Sequence, residues 1–208
     1  MKKSMCITYI VDGKLYVNIT NRCSNRCDFC IRNNGDGAYG SDSLWLEHEP
    51  TVSEILDSVF SHDLTAFSEL VFCGYGEPTY RLDDAASVAR AVKEKHPKMI
   101  IRINTNGQSD LILKRDTAAE FAGAFDVVSI SLNAPDNEKY NDLCHPIFGD
   151  GTLDAIFAFA SKVKSYVPTV QFSAVKQTLN SEEIELCKQI SSNLGITLRL
   201  RDYIPPET

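Results

Sequence analysis

Apolar and polar residues alternate along five short stretches of this chain. Val17 and Ile19 oppose Asn18 and Thr20, and Ile101 and Ile103 oppose Arg102 and Asn104. Val128, Ile130 and Leu132 oppose Ser129, Ser131 and Asn133. Val170, Phe172 and Ala174 oppose Gln171 and Ser173, and Ile196, Leu198 and Leu200 oppose Arg199, Arg201 and Tyr203. Period-two alternation makes each a strand with one apolar and one polar face. A sixth strand, about 69–73, precedes a glycine-rich turn. The N-terminus reads as a hairpin, 5–11 and 14–20, turning at Asp12-Gly13.

Between the strands the pattern is helical. Helices are predicted at about 51–62, 83–95, 110–122, 136–144, 152–165 and 181–193. Thr51-Val-Ser-Glu54 is a capping-box start, and Gly195 stops the last helix. Strand and helix alternate, so the sheet is parallel. Six β/α units are too few to close an eight-fold barrel. We therefore expect an α/β fold: an open (β/α)6 partial TIM barrel with an N-terminal β-hairpin.

A parallel sheet covered on both faces would be apolar on both. Here the apolar faces meet the helices, and the polar faces line a lumen suited to a polar ligand. The alternative is a solvated, uncovered sheet face.

The length of 208 residues suits one domain over 1–208. Its parts are a hairpin 5–20, a cysteine loop 21–32, a loop 33–50 and β/α units 51–204. No auxiliary domain is expected after the last strand. The net charge of −7 argues against nucleic acid and acidic membranes as partners. No apolar run approaches the roughly 18 residues of a membrane span. The basic N-terminus meets Asp12 before any signal-like stretch, so the expected location is cytoplasmic. Seven scattered cysteines make a poor disulfide framework.

Three of those cysteines carry the chemistry. Cys23, Cys27 and Cys30 form a C-x3-C-x2-C run. Thiolate-rich loops select zinc or iron–sulfur clusters. Structural zinc closes a four-ligand shell, usually from two separated pairs. Three ligands in so short a loop fit a [4Fe-4S] cluster with one iron open.

Three strand-end motifs follow in order: Gly74-Tyr75-Gly76-Glu77-Pro78, Asn104-Thr-Asn-Gly107, and Ser129-Ile-Ser-Leu-Asn-Ala-Pro135. With the cysteine loop, and with Phe29 as its aromatic residue, they resemble the radical S-adenosylmethionine (SAM) enzymes. The run Asn133–Pro146 also looks familial. The wording Cys-Asp-Phe-Cys-Ile-Arg-Asn with Gly-Tyr-Gly-Glu-Pro-Thr resembles the small TatD-nuclease-associated radical SAM subgroup.

The resemblance implies that Cys23, Cys27 and Cys30 bind three irons and SAM chelates the fourth. It implies SAM contacts from Phe29, Gly74, Tyr75, Gly76 and Glu77. It extends them to Asn104, Asn106, Ser131 and Asn133. The implied reaction is reductive SAM cleavage to a 5′-deoxyadenosyl radical that abstracts hydrogen from a substrate. A flavodoxin- or ferredoxin-type reductant is implied as partner.

Arg199 and Arg201 share a strand face. SAM has one carboxylate, so two arginines leave capacity for a second anion. We expect an acidic substrate, a small molecule or a peptide segment, held by Arg199, Arg201 and Tyr203 opposite the cysteine end of the sheet. Tyr75 and loop 33–43 are expected to close over it. The plain reading of the arginines is a charged edge strand. Of the histidines, His62 and His96 read as solvated, and only His145, beside Cys144, is a functional candidate.

Three other functions stay open at this point. One is a glycyl-radical-type activating enzyme acting on a partner protein. Another is a small-molecule enzyme with a trimmed barrel like the carboxydeazaguanine synthases. The third is a non-enzymatic iron–sulfur electron carrier, against which the polar lumen argues.

Overall fold

A computed structural model of the chain describes residues 2–205. Seven strands form one sheet in chain order: β1 (Thr8–Val11), β2 (Lys14–Val17), β3 (Glu69–Phe72), β4 (Ile100–Thr105), β5 (Val127–Ser131), β6 (Thr169–Val175) and β7 (Thr197–Arg201). β1 and β2 are antiparallel, and each later pair is parallel. β1 and β7 are the two edges, so the barrel is open as expected. Asp12 and Gly13 turn the hairpin with positive φ angles of 47° and 68°. Its strands are shorter than the sequence pattern suggests.

Six helices follow the pattern: α1 (Val52–Phe60), α2 (Leu82–Lys95), α3 (Ser109–Leu113), α4 (Asn137–Cys144), α5 (Thr152–Val163) and α6 (Ser181–Asn193). The capping box at α1 is formed. Glu54 accepts from the Thr51 backbone at 2.7 Å, and the Thr51 hydroxyl accepts from the Glu54 N–H at 3.3 Å. Asn180 and Glu183 build a second box on α6.

One predicted helix is different. Residues 110–122 are not continuous: α3 ends at Leu113, and a 3-10 turn covers Ala118–Phe121. The Asp110 carboxylate accepts from both the N–H and the hydroxyl of Thr117, at 2.9 and 2.8 Å. Such side-chain bonds compete with helix continuation.

The sheet separates its faces. Leu15, Val17, Leu70, Phe72, Ile101, Ile103, Val128, Ile130 and Phe172 are fully buried. They share one core with Ile55, Val59, Val88, Val92, Ile156 and Phe159 of the helices. Each such side chain contributes roughly 1.5–3 kcal/mol of burial free energy. A second cluster lies on the other face at the hairpin edge. There Tyr9, Val11, Tyr16 and Tyr75 pack under Ala38, Leu44 and Trp45 of the long loop. Among the described residues no helix is long and apolar enough to cross a membrane.

Candidate active site

The cysteine loop leaves β2 at the C-terminal rim of the parallel strands. It docks on the end of α4. Arg26 N–H donates to the Cys144 carbonyl at 2.9 Å, and Asp28 N–H to the Leu143 carbonyl at 3.1 Å. The Ile147 N–H returns a bond to the Ser24 carbonyl at 2.9 Å. The loop thus occupies carbonyls that a helix end leaves free. His145, in the left-handed conformation that ends α4, pairs with Asp28 at 2.8 Å.

Cys23, Cys27 and Cys30 are unbridged and half-buried. Burial pushes the Cys23 thiol up to about 12 and raises Cys30 as well. Cys27 is raised by the adjacent Cys144 thiol and by burial. Arg32 opposes the shift at all three and donates to the Asn25 carbonyl at 2.9 Å. Among the described residues no three His, Cys, Asp or Glu groups converge on a single-ion site. Zinc needs its sulfur donors within about 2.3 Å of one point. An iron–sulfur cube takes one thiolate per iron, so its donors lie apart. Three thiolates on one short loop match the one-thiolate-per-iron donor set of such a cluster.

The β3 strand end packs tightly against β2. A Cβ at Gly74 would overlap the Asn18 side chain, and one at Gly76 would overlap the Thr20 backbone. These glycines are needed for that chain-on-chain approach. Glu77 follows, 4% exposed. Its Oε1 accepts from the Thr79 N–H at 3.1 Å and from the Thr79 and Thr105 hydroxyls, each at 2.7 Å. Its Oε2 accepts from the Asn106 N–H at 2.6 Å. Burial raises its carboxyl pKa, and these four bonds oppose the rise. Asn106 in turn donates to the Ser24 hydroxyl at 2.8 Å. Gln108 donates to Asn25 at 2.8 Å, and both donate to the Tyr140 hydroxyl, at 3.0 and 2.9 Å. Buried polar groups thus tie the cysteine loop to the ends of β3 and β4.

The polar strand faces line the lumen. Asn104 lies beside the Cys73 thiol, and Gln171 donates to Ser129 at 3.1 Å. Arg102 is ion-paired with Glu69. The Arg201 guanidinium lies 6.0 Å from the Phe29 ring, within electrostatic reach of Cys27, Cys30, Cys73 and Tyr39. Among the described residues neither Arg199 nor Arg201 has an acidic partner.

A model of the radical SAM superfamily matches residues 17–190 of this chain. The chain belongs to the radical SAM superfamily. A curated relative, the GTP 3′,8-cyclase of Staphylococcus carnosus, is 26% identical over 196 residues. That alignment covers 91% of this chain and 54% of the relative, so the chain spans about half of it. Among solved structures, Streptococcus suis SuiB bound to its precursor peptide SuiA superposes with a TM-score of 0.70 at 18% identity. It covers 92% of this chain and 39% of that one. The AdoMet-bound anSMEcpe gives 0.62 at 17% identity, covering 92% and 51%. These structures show the shared fold.

Within this radical SAM core, the expected residues divide into two groups. Cys23, Cys27, Phe29, Cys30, Asn104 and Arg201 gather around one mouth, and Cys73, not a candidate from sequence, joins them. Ser131 is on the lumen face of β5 and is half-buried. Asn133 has a positive φ of 58°. Its amide donates to the Cys144 sulfur at 3.7 Å, and its Oδ1 is buried without a partner among the described residues. Glu77 and Asn106 are spent on internal bonds, as described above.

Tyr75 faces the other way. Its hydroxyl donates to the Gly35 and Gly37 carbonyls at 3.0 and 2.8 Å, pinning the long loop. Tyr203 is 36% exposed, and its N–H donates to Gln177. Arg201 is not opposite the cysteine end, as expected from sequence, but beside it. Parallel strands end at one rim, so the end of β7 meets the loop that leaves β2. Nor is His62 simply solvated, since its ring bonds Thr8 at 3.0 Å. Sequence reasoning missed Arg32, Asn25, Gln108, Tyr140 and Glu69. Only the polar residues interleaved with the cysteines hinted at them.

Proposed function

We propose that Cys23, Cys27 and Cys30 hold a [4Fe-4S] cluster at the barrel mouth, with SAM laid across the ends of β3, β4 and β5. The observation that carries this reading is the three-cysteine loop seated at the rim of a polar lumen. When bound, the reduced cluster and SAM supply a 5′-deoxyadenosyl radical for hydrogen abstraction from a substrate.

The chain's own part is positioning. The backbone at Cys73–Gly76, with Asn104 and Ser131, offers polar contacts to SAM at that mouth. Asn133, with its unpartnered carbonyl oxygen, adds an acceptor nearby. Glu77 and Asn106 keep the strand ends in register with the cysteine loop. Phe29 and Arg201 form the wall nearest the cluster. The β7 cations, which have no acidic partner among the described residues, favour an acidic substrate. A flavodoxin- or ferredoxin-type protein would deliver the electron.

Anaerobic reconstitution should load about four irons per chain. The reduced protein should then release 5′-deoxyadenosine and methionine from SAM. The triple variant Cys23→Ala, Cys27→Ala, Cys30→Ala should lose both. A full cluster in that variant, or a loaded wild type that neither binds nor cleaves SAM, would sink the reading.

A further inference from the structure

Asn25 lies midway between Cys23 and Cys27 and is 5% exposed. Its side chain is gripped at both ends. Gln108 donates to its Oδ1 at 2.8 Å, and its Nδ2 donates to the Tyr140 hydroxyl at 2.9 Å. So held, its backbone serves the cysteine loop from both sides of the residue. The Asn25 N–H donates to Cys23 Sγ at 3.4 Å. The Asn25 carbonyl accepts from the Arg32 guanidinium at 2.9 Å.

Arg32 follows Cys30 by two positions. Its bond to Asn25 folds the guanidinium back among the cysteines. One end of the side chain is tied to the Cys30 turn and the other to the residue between Cys23 and Cys27. Arg32 is half-buried. The acidic residues of the loop's surroundings are engaged elsewhere: Asp28 pairs with His145 and Glu49 with Arg22, each at 2.8 Å. Among the described residues no carboxylate ion-pairs with Arg32. Its charge favours the thiolate form at all three cysteines, against the burial that raises Cys23 and Cys30 and the Cys144 thiol and burial that raise Cys27. Arg26, in the same loop, differs. It is exposed, and its side chain makes no hydrogen bond or ion pair among the described residues.

We propose that Arg32 sets the reduction potential of this site: its charge, fixed at the Asn25 carbonyl, stabilises the reduced state of the cluster that Cys23, Cys27 and Cys30 hold. This rests on the radical SAM reading above and assigns one residue to electron uptake at that same site. An electron delivered there adds one negative charge and breaks no bond. A cation among the ligands favours the more negative state, and partial burial spares it from screening by salt. Cluster potentials respond to such local charge and to hydrogen bonds at sulfur. Guanidinium suits the task because it stays charged while one N–H is committed to the carbonyl.

The test uses anaerobically reconstituted protein without SAM, titrated with dithionite and read by electron paramagnetic resonance of the reduced cluster. Arg32→Gln keeps a donor for the Asn25 carbonyl and removes the charge, and Arg32→Met removes both. Each should load iron as the wild type does. In each the reduction equilibrium should fall about tenfold, a shift of about −59 mV for a one-electron couple. Arg32→Lys, which keeps the charge, should stay within about threefold of wild type. Arg26→Gln, which removes an exposed charge from the same loop, should also stay within about threefold. A loaded Arg32→Gln with the wild-type potential would reduce Arg32 to a brace for the Asn25 carbonyl, overturning the inference while the function stands. An equal shift in Arg26→Gln would overturn it too, since the loop's net charge would then be the cause. If neither neutral variant loads iron while Arg32→Lys does, the charge acts on assembly and not on potential, and the inference is likewise overturned. Failure of the wild type to load iron or cleave SAM would overturn the function, and this inference with it.

Discussion

The strand-end layer and the lumen column are both rich in polar side chains, but they use them in opposite ways. At the strand ends Glu77 accepts four bonds, and Asn25, Asn106, Gln108 and Tyr140 bond one another and the cysteine loop. On β7 Arg199 and Arg201 have no acidic partner among the described residues. The first layer consumes its polarity to hold three segments in register. The second leaves its polarity for something else. A buried polar residue in a family motif is therefore not by that fact a ligand contact.

The largest expected effect is at Glu77. Glu77→Ala leaves the Thr79, Thr105 and Asn106 donors without their acceptor. Each such buried group costs about 1–3 kcal/mol, so stability should fall by roughly 3 kcal/mol or more. Glu77→Gln should cost less, because one oxygen remains and the main conflict is an amide facing the Asn106 N–H. Urea midpoints of the two variants measure the difference. A Glu77→Ala protein with wild-type stability and impaired SAM binding would move Glu77 into the second class.

A smaller loss is expected at Glu54, which lies in neither layer and serves as an exposed reference. Backbone and side-chain bonds from Thr51, followed by His48, lower its carboxyl pKa from 4.5 to about 2. A depressed carboxylate stabilises fully above its unfolded value and loses that contribution as pH falls through its folded value. Melting curves of wild type and Glu54→Gln should differ at neutral pH. They should converge between about pH 4.5 and 2. A constant gap across that window would contradict the cap.

The smallest effect sharpens the comparison most. Arg199→Met removes an exposed cation that has no acidic partner among the described residues. Stability in the absence of any anion should stay within about 0.5 kcal/mol of wild type. A loss of several times that, read from the same urea curves, would make Arg199 part of the framework.

The sheet was legible because alternation is local: Val128, Ile130 and Leu132 announce their face without reference to any other strand. The capping box at Thr51 was legible for the same reason. Helix 110–122 misled because Asp110 and Thr117, which close the turn, are bonded across seven positions rather than one helical turn. The three cysteines declared themselves by spacing. The work of Glu77 did not, because its partners Thr105 and Asn106 lie 28 and 29 positions away. Tyr75 shares that opacity: its neighbours in sequence are motif glycines, but its hydroxyl belongs to loop 33–50.

The docking of the cysteine loop on α4 has a kinetic consequence. The amides of Arg26 and Asp28 are held by carbonyls of the helix's last turn. That segment can therefore open to solvent only when the helix end lets go. Loop and helix end then form one cooperative unit of local unfolding rather than a flap on a fixed support. Fraying at Leu143 and Cys144, not any freedom of the loop itself, therefore sets how readily the Arg26 and Asp28 amides exchange with solvent.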